Sequence, residues 1–191
     1  MHNILIINCS PRPGSNSGKV TKYLQALISA KGHTVTVKSF EGLEIRSIGA
    51  GYIQPEEVTP EQQDILDVLA AVKHVIWVIP EYNRGVPAEF LSFTHHFGTK
   101  KYPFIWNDKV HSVVGVSSGI GGREPIFHFA KAFNYLISDV NGVNCYVSAY
   151  SLQSINTQDN LDESGNFIGD QRYADNAAKF VDRFLGITTH V

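Results

Sequence analysis

Ile4-Leu5-Ile6-Ile7 is an apolar run without alternation, and Val75 to Ile79 is a second. Side chains of a strand point alternately to its two faces, so a strand that is apolar at every position has to be covered on both. That requirement selects a parallel sheet with helices on each side and disfavours a sandwich or an exposed antiparallel sheet. The longest of these runs, Val75 to Ile79, is far short of the ~20 residues that span a bilayer.

The rest of the chain alternates as such a sheet demands. A first strand, residues 3–8, is followed by a helix over residues 17–31, with Val20, Tyr23, Leu24, Leu27 and Ile28 at three-and-four spacing and Gly32 ending it. Residues 34–40 are β-branched and alternating, which reads as a second strand nearer an edge. A weakly patterned stretch, 41–58, precedes Thr59-Pro60-Glu61-Gln62, where Thr caps, Pro takes the first helical position and Gln62 closes a capping box. That helix runs to about residue 73. Strands follow at 74–79, 110–116 and 144–149, separated by a short helix after Pro87 and an aromatic-rich helix from Pro125 to about Asp139. An irregular polar segment leads to a last helix, 172–185. Five strands with right-handed crossovers give a single domain over 1–191, an α/β doubly wound parallel sheet of order 2-1-3-4-5, flavodoxin-like, with helices on both faces. The competing order needs a sixth strand, and none is legible.

Sixteen basic and 18 acidic residues in 191 leave a net charge of −2. A nucleic-acid groove or a membrane-attracting face is excluded as the main business of such a chain. Cys9 and Cys145 form neither a CxxC nor a zinc pattern, and the opening MHNILIINCS has no basic leader, so a reduced, cytoplasmic chain is expected. His95 and His96 are adjacent and point apart on a helix, which argues against a metal pair.

In open sheets of this order, ligands bind beyond the carboxyl ends of the strands. Three loops of unusual composition fall there. Ser10-Pro11-Arg12-Pro13-Gly14-Ser15-Asn16-Ser17 carries hydrogen-bonding side chains at Ser10, Ser15, Asn16 and Ser17 beside a helix N-terminus, with Arg12 adding charge. That combination suits a phosphate. Pro13 and Val20 break a P-loop, and G-x-G-x-x-G is absent after the first strand, so a terminal monophosphate fits better than a triphosphate or a bridging pyrophosphate. The second loop, Pro80-Glu81-Tyr82-Asn83-Arg84-Gly85-Val86-Pro87, is stiffened by two prolines, and Asn83 and Gly85 are its candidates for positive φ. It can present N–H groups and an aromatic face to a planar ring. The third, Ser117-Ser118-Gly119-Ile120-Gly121-Gly122-Arg123, allows a ligand to approach the backbone closely.

These residues resemble the NADPH-dependent FMN reductase family, which includes quinone, azo-dye and chromate reductases. The resemblance rests on Ser10-Pro11-Arg12 with Gly14 to Ser17, on Pro80-Glu81-Tyr82-Asn83 with Pro87, and on Gly119 to Gly122, and it covers nearly the whole chain. It implies non-covalently bound FMN, with NADPH or NADH as electron donor, a small-molecule electron acceptor, and a homodimer or tetramer. Ser10, Arg12, Ser15, Asn16 and Ser17 would hold the FMN phosphate. Pro80, Glu81, Tyr82 and Asn83 would line the isoalloxazine, and Ser117, Ser118, Gly119, Gly121 and Gly122 its pyrimidine side. No residue would be catalytic in the sense of a triad. The helix after Pro87 departs from the family pattern: it reads Phe90-Leu91-Ser92, with His95 where an acid is usual.

Two rival readings belong to other classes. Gly115-Val116-Ser117-Ser118-Gly119 satisfies the G-x-S-x-G of a serine hydrolase, with Asp139 and His190 in the right chain order. A flavin-binding sensor or interaction module without turnover would share the fold and the cofactor. The apolar residues Ile45, Ile48, Tyr52 and Ile53 of the patternless stretch are expected under a neighbouring subunit, or folded back over their own sheet.

Overall fold

The computed structural model describes residues 1–135 and 145–188. Its strands are β1 (Asn3–Asn8), β2 (Thr34–Ser39), β3 (His74–Pro80), β4 (Val110–Val116), β5 (Tyr146–Val147) and β6 (Leu152–Ser154). The sheet order is β2-β1-β3-β4-β5, and every described pairing within it is parallel. The expected flavodoxin-like order is therefore the observed one. β6 is an addition to it. It pairs with β4 at Val114 to Val116, beyond the point where β5 pairs at Val110 and His111. The two short strands thus lie along the same side of β4, with a break between them. Ser112 and Ser148 cause the break: both hydroxyls donate to the Tyr150 carbonyl, and Ser148 Oγ also accepts from the Tyr150 N–H. The expected fifth strand, 144–149, is reduced to two residues among those described.

Burial follows the pleat. Leu5, Ile7, Val75, Trp77, Ile79 and Val113 face α2 (Pro60–Ala71), α3 (Ala88–Phe97) and α4 (Glu124–Tyr135), where Leu66, Phe93 and Phe129 complete one core. Ile4, Ile6, Ile76, Val78 and Val114 face α1 (Asn16–Ala30) and α6 (Gln171–Thr188), with Leu24 and Phe180 in the second core. β3 and β4 are buried at every position, whereas β2 is only half-buried, as an edge strand should be. The expected capping box is present, Thr59 Oγ1 accepting from Gln62 N and Gln62 Oε1 from Thr59 N.

Residues 41–58 are more ordered than their pattern implied. They contain two single turns, Ile48–Ala50 and Pro55–Glu57, and the segment is pinned to α2, α3 and the loop after α3. Gln62 Nε2 donates to Glu44 O, Tyr102 OH donates to Ile53 O, and His96 Nε2 meets Arg46 O at 2.8 Å. Ile53 is buried and Ile45 packs on the core, so two of the four apolar residues are satisfied within the chain. Ile48 and Tyr52 remain exposed, with the Tyr52 ring stacked on His95 at 4.6 Å. On α4, Phe129 and Phe133 are buried while Phe127 is exposed. The continuation of that helix toward Asp139 lies outside the described residues.

Two histidines are built into the sheet in neutral form. His111 Nδ1 accepts from the Trp77 indole at 3.1 Å, which leaves Nε2–H to donate to Trp106 O, and full burial pushes its pKa down to about 3. His74 is pushed down to about 4, chiefly by burial and then by His2. In the unfolded chain both titrate near ~6.5. Below that pH the unfolded state binds protons that the native state refuses, so stability falls as the pH drops toward about 4. The urea midpoint is expected to be lower at about pH 5 than at about pH 7. Equal midpoints would contradict the neutral, buried assignment.

Candidate functional site

The loops that leave β1, β3 and β4 at their carboxyl ends enclose a cleft of about 310 Å³. It is lined by Arg12, Ser15, Asn16, Ser17, Pro80, Glu81, Tyr82, Asn83, Ser117 and Ser118, all expected there, and by Val116, the end of a buried strand. Three loops more than thirty residues apart in sequence meet because β1, β3 and β4 are neighbours in the sheet.

The first loop ends in a helix start whose polar groups are unequally engaged. Ser15 is the N-cap of α1 and accepts from Gly18 N at 3.1 Å. Ser17, two residues further in, is fully buried, and its Oγ has no hydrogen-bond partner. A buried hydroxyl left unpaired costs about 1–3 kcal/mol. The first N–H groups of a helix likewise lack intrahelical acceptors, and the dipole there favours an anion. Ser15, Asn16 and Ser17 line the cleft at this helix start, so the residues present fit a phosphate.

Ser10 belongs under the cleft and does not line it. Its Oγ lies 3.0 Å from Tyr82 OH and accepts from Arg12 N, which joins the first loop to the second. Arg12 crosses the same ring from outside, its guanidinium 4.2 Å from the Tyr82 centroid. Tyr82 to Gly85 form a two-residue turn closed by N–H to C=O bonds in both directions. Asn83 and Arg84 supply its left-handed positions, at φ 49° and 64°. Gly85 does not, contrary to the expectation from sequence. With positive φ at both central residues this is a turn of type I′, and Gly85 lies outside the central pair.

Glu81 fastens the third loop. Its carboxyl, 7% exposed, accepts from Gly122 N at 2.7 Å and from Glu124 N at 3.2 Å through Oε2. Glu124 opens α4, so the carboxylate also caps that helix. The glycines follow from this contact. A Cβ on Gly121 would overlap Glu81 Oε1, and one on Gly115 would overlap Gly122 O. Gly121 and Gly122 are thus packed against a side chain and a strand and serve close fit, whereas Gly119 has open space around it.

A group missed in the sequence backs this loop from behind. Gln153 Nε2 donates to Gly121 O at 2.7 Å, Asn156 N–H to Gly119 O at 2.8 Å, and Thr157 Oγ1 to Ser117 O at 3.1 Å. These residues come from the polar segment that carries no period, and nothing local marks their role.

The hydrolase arrangement is not built. A nucleophile elbow turns from strand to helix at the serine in a strained conformation. Here α4 begins only at Glu124, Ser117 is not among the positive-φ residues, and its Oγ accepts from Gly119 N at 3.2 Å. Asp139 and His190 lie outside the described residues.

Removing the Glu81 carboxylate leaves two shielded N–H groups without an acceptor. Glu81→Ala is expected to cost about 1–3 kcal/mol in urea unfolding, and Glu81→Gln, which keeps an acceptor oxygen, less. Equal stability of wild type and Glu81→Ala would show that the clamp carries no energy.

The sequence model of the NADPH-dependent FMN reductases matches residues 2–149. No curated protein matches the chain. Among solved structures, the chain is similar to FerB, a flavoenzyme NAD(P)H:(acceptor) oxidoreductase of Paracoccus denitrificans, at 19% identity over 97% of this chain and 96% of that one, with a TM-score of 0.71. It is similar to an NAD(P)H:quinone oxidoreductase of Methanothermobacter marburgensis at 16% identity, 98% and 97% coverage and a TM-score of 0.59. An FMN-dependent NADH-azoreductase of Bacillus anthracis, solved with FMN, gives 15%, 98% and 99%, and 0.58. At these identities the structural likeness speaks for the fold, while the match over 2–149 speaks for descent. This chain belongs to the NADPH-dependent FMN reductase family, with FMN as its cofactor and NAD(P)H as electron donor.

Proposed function

We propose that the chain transfers two electrons from NAD(P)H through FMN, held in the three-loop cleft, to a small acceptor, a quinone first and then an azo compound or free flavin. The observation that carries the reading is the Ser17 hydroxyl, buried and unpaired at the N-terminus of α1. FMN supplies the hydride chemistry when bound, and the protein supplies binding, orientation and electrostatics.

In this reading Ser17 and the first N–H groups of α1 take the phosphate, and Ser15 keeps the helix start in shape. Arg12 and Tyr82 form a stacked pair at the rim, with Ser10 fixing the Tyr82 hydroxyl. Asn83 stands in the rigid turn beside the ring position. Ser117, Ser118, Gly119 and Gly121 give the backbone edge for the pyrimidine side. Gly122 shapes that edge without binding, because its N–H is already held by Glu81.

Ser17 and Ser15 separate under mutation. Ser17→Ala removes an unpaired group from the free protein, so its stability without FMN should be unchanged or higher. Its FMN affinity should fall by about 1–3 kcal/mol, the worth of a charge-assisted bond. Ser15→Ala should lower both, since a cap is worth about 1 kcal/mol. Heat-released ligand that runs as FAD, or unchanged FMN binding by Ser17→Ala, would count against the site.

Donor and acceptor use the same open face of the cleft, so the donor product leaves before the acceptor enters. Initial rates at several fixed acceptor concentrations are expected to give parallel double-reciprocal lines. Intersecting lines would mean that both substrates bind together.

The active form is a homodimer or a tetramer built from it. Ile48, Tyr52 and Phe127 remain exposed, at about 25 cal/mol for each Å² of apolar surface left in water, and closed two-fold symmetry is the common way to cover such surface. Light scattering at micromolar concentration should report at least two chains. An active strict monomer would remove the assembly and leave the cleft.

A further inference from the structure

Behind the turn at residues 119–122 lies a second, larger cleft of about 720 Å³, between the β5–β6 side of the sheet and α6. Its size is that of a small-molecule site. Leu152 and Phe180 give it an apolar floor, 8% and 3% exposed. Lys179 and Arg183, one helical turn apart, form a cationic pole, and neither is within ion-pair distance of a carboxylate among the described residues. Arg183 is set in place by Tyr150, its guanidinium 4.7 Å from the ring centroid. Asp159, Asp170 and Arg172 also line the cleft, with Asp170 Oδ1 accepting from Arg172 N. Lys179 and Arg183 are thus without a carboxylate partner among the described residues, and the carboxylates that line the cleft, Asp159 and Asp170, come from the segment before α6.

An apolar floor for a flat base, carboxylates for sugar hydroxyls and bare cations for phosphate oxygens are the requirements of a nucleoside phosphate. A simple phosphate would use only the cations, and an apolar ligand would use only the floor. The cleft also shares a wall with the three-loop site. Gln153 lines it and donates to Gly121 O, and Asn156 lines it and donates to Gly119 O. A molecule with one end in each cleft crosses only that turn. We propose that this cleft binds the adenosine-phosphate half of the NAD(P)H donor, with phosphate oxygens on Lys179 and Arg183, while the nicotinamide reaches the three-loop cleft. The proposal rests on the reading of that cleft as the FMN site.

Protein loaded with FMN is titrated calorimetrically with adenosine 2′,5′-bisphosphate. Saturable binding at one site per chain, displaced by NADPH, is expected. The double variant Lys179→Ala/Arg183→Ala should bind at least about tenfold more weakly and still take up FMN as the wild type does, and Lys179→Arg should keep its affinity. Absence of binding by the wild type, equal binding by the double variant, or binding that NADPH does not displace would each overturn the assignment. FMN uptake is measured first: its failure removes both readings, whereas failure of the nucleotide to bind FMN-loaded protein removes the donor cleft alone.

Discussion

Burial of β1, β3 and β4 on both faces is the constraint from which the remaining geometry follows. With apolar side chains on each side of these strands, neither face of the sheet can be left to water, and helices must alternate between them. Alternating helices force every crossover to run back over the sheet, so the carboxyl ends of the neighbouring strands open together. The cleft is a consequence of that topology. Its residues come from three loops because three adjacent strands end there.

Within the cleft, division of labour matters more than the number of polar groups. Some residues hold the loops together, and Ser17 has no side-chain partner in the protein. Ser15, Ser10 and Glu81 spend their hydrogen bonds on the protein, on the α1 cap, on Tyr82 and Arg12, and on Gly122 and Glu124. Ser17 does not, and a buried hydroxyl without a partner is the kind of local cost that folded proteins carry at binding sites. The contact of Gly121 with Glu81 shows the same economy: a side chain is omitted so that another can lie against the backbone.

The strands and the three loops were legible in the sequence because both signals are local. Unalternated Ile and Val mark buried strands, and hydroxyl-rich or glycine-rich turns mark the loops beside them. The family resemblance came from the same residues. What stayed hidden depends on bonds between distant segments. The direction of the Glu81 carboxylate is set by an N–H forty-one residues away, and β6 exists because Leu152 to Ser154 meet β4 after a serine-induced break. Arg84 at positive φ is imposed by a two-residue turn, although Gly85 beside it was the better candidate by residue type. The burial of Ile53, within the 41–58 segment, likewise goes with a bond from Tyr102, far along the chain, to its carbonyl.

The central claim is that the unpaired Ser17 hydroxyl is kept for the phosphate of FMN. A crystal structure of the FMN-loaded protein tests it directly, through the position of the phosphate. A phosphate oxygen at about 2.5–2.7 Å from Ser17 Oγ, in line with the first turn of α1, is the predicted result. FMN bound with its phosphate elsewhere and the Ser17 hydroxyl still unpaired would contradict it.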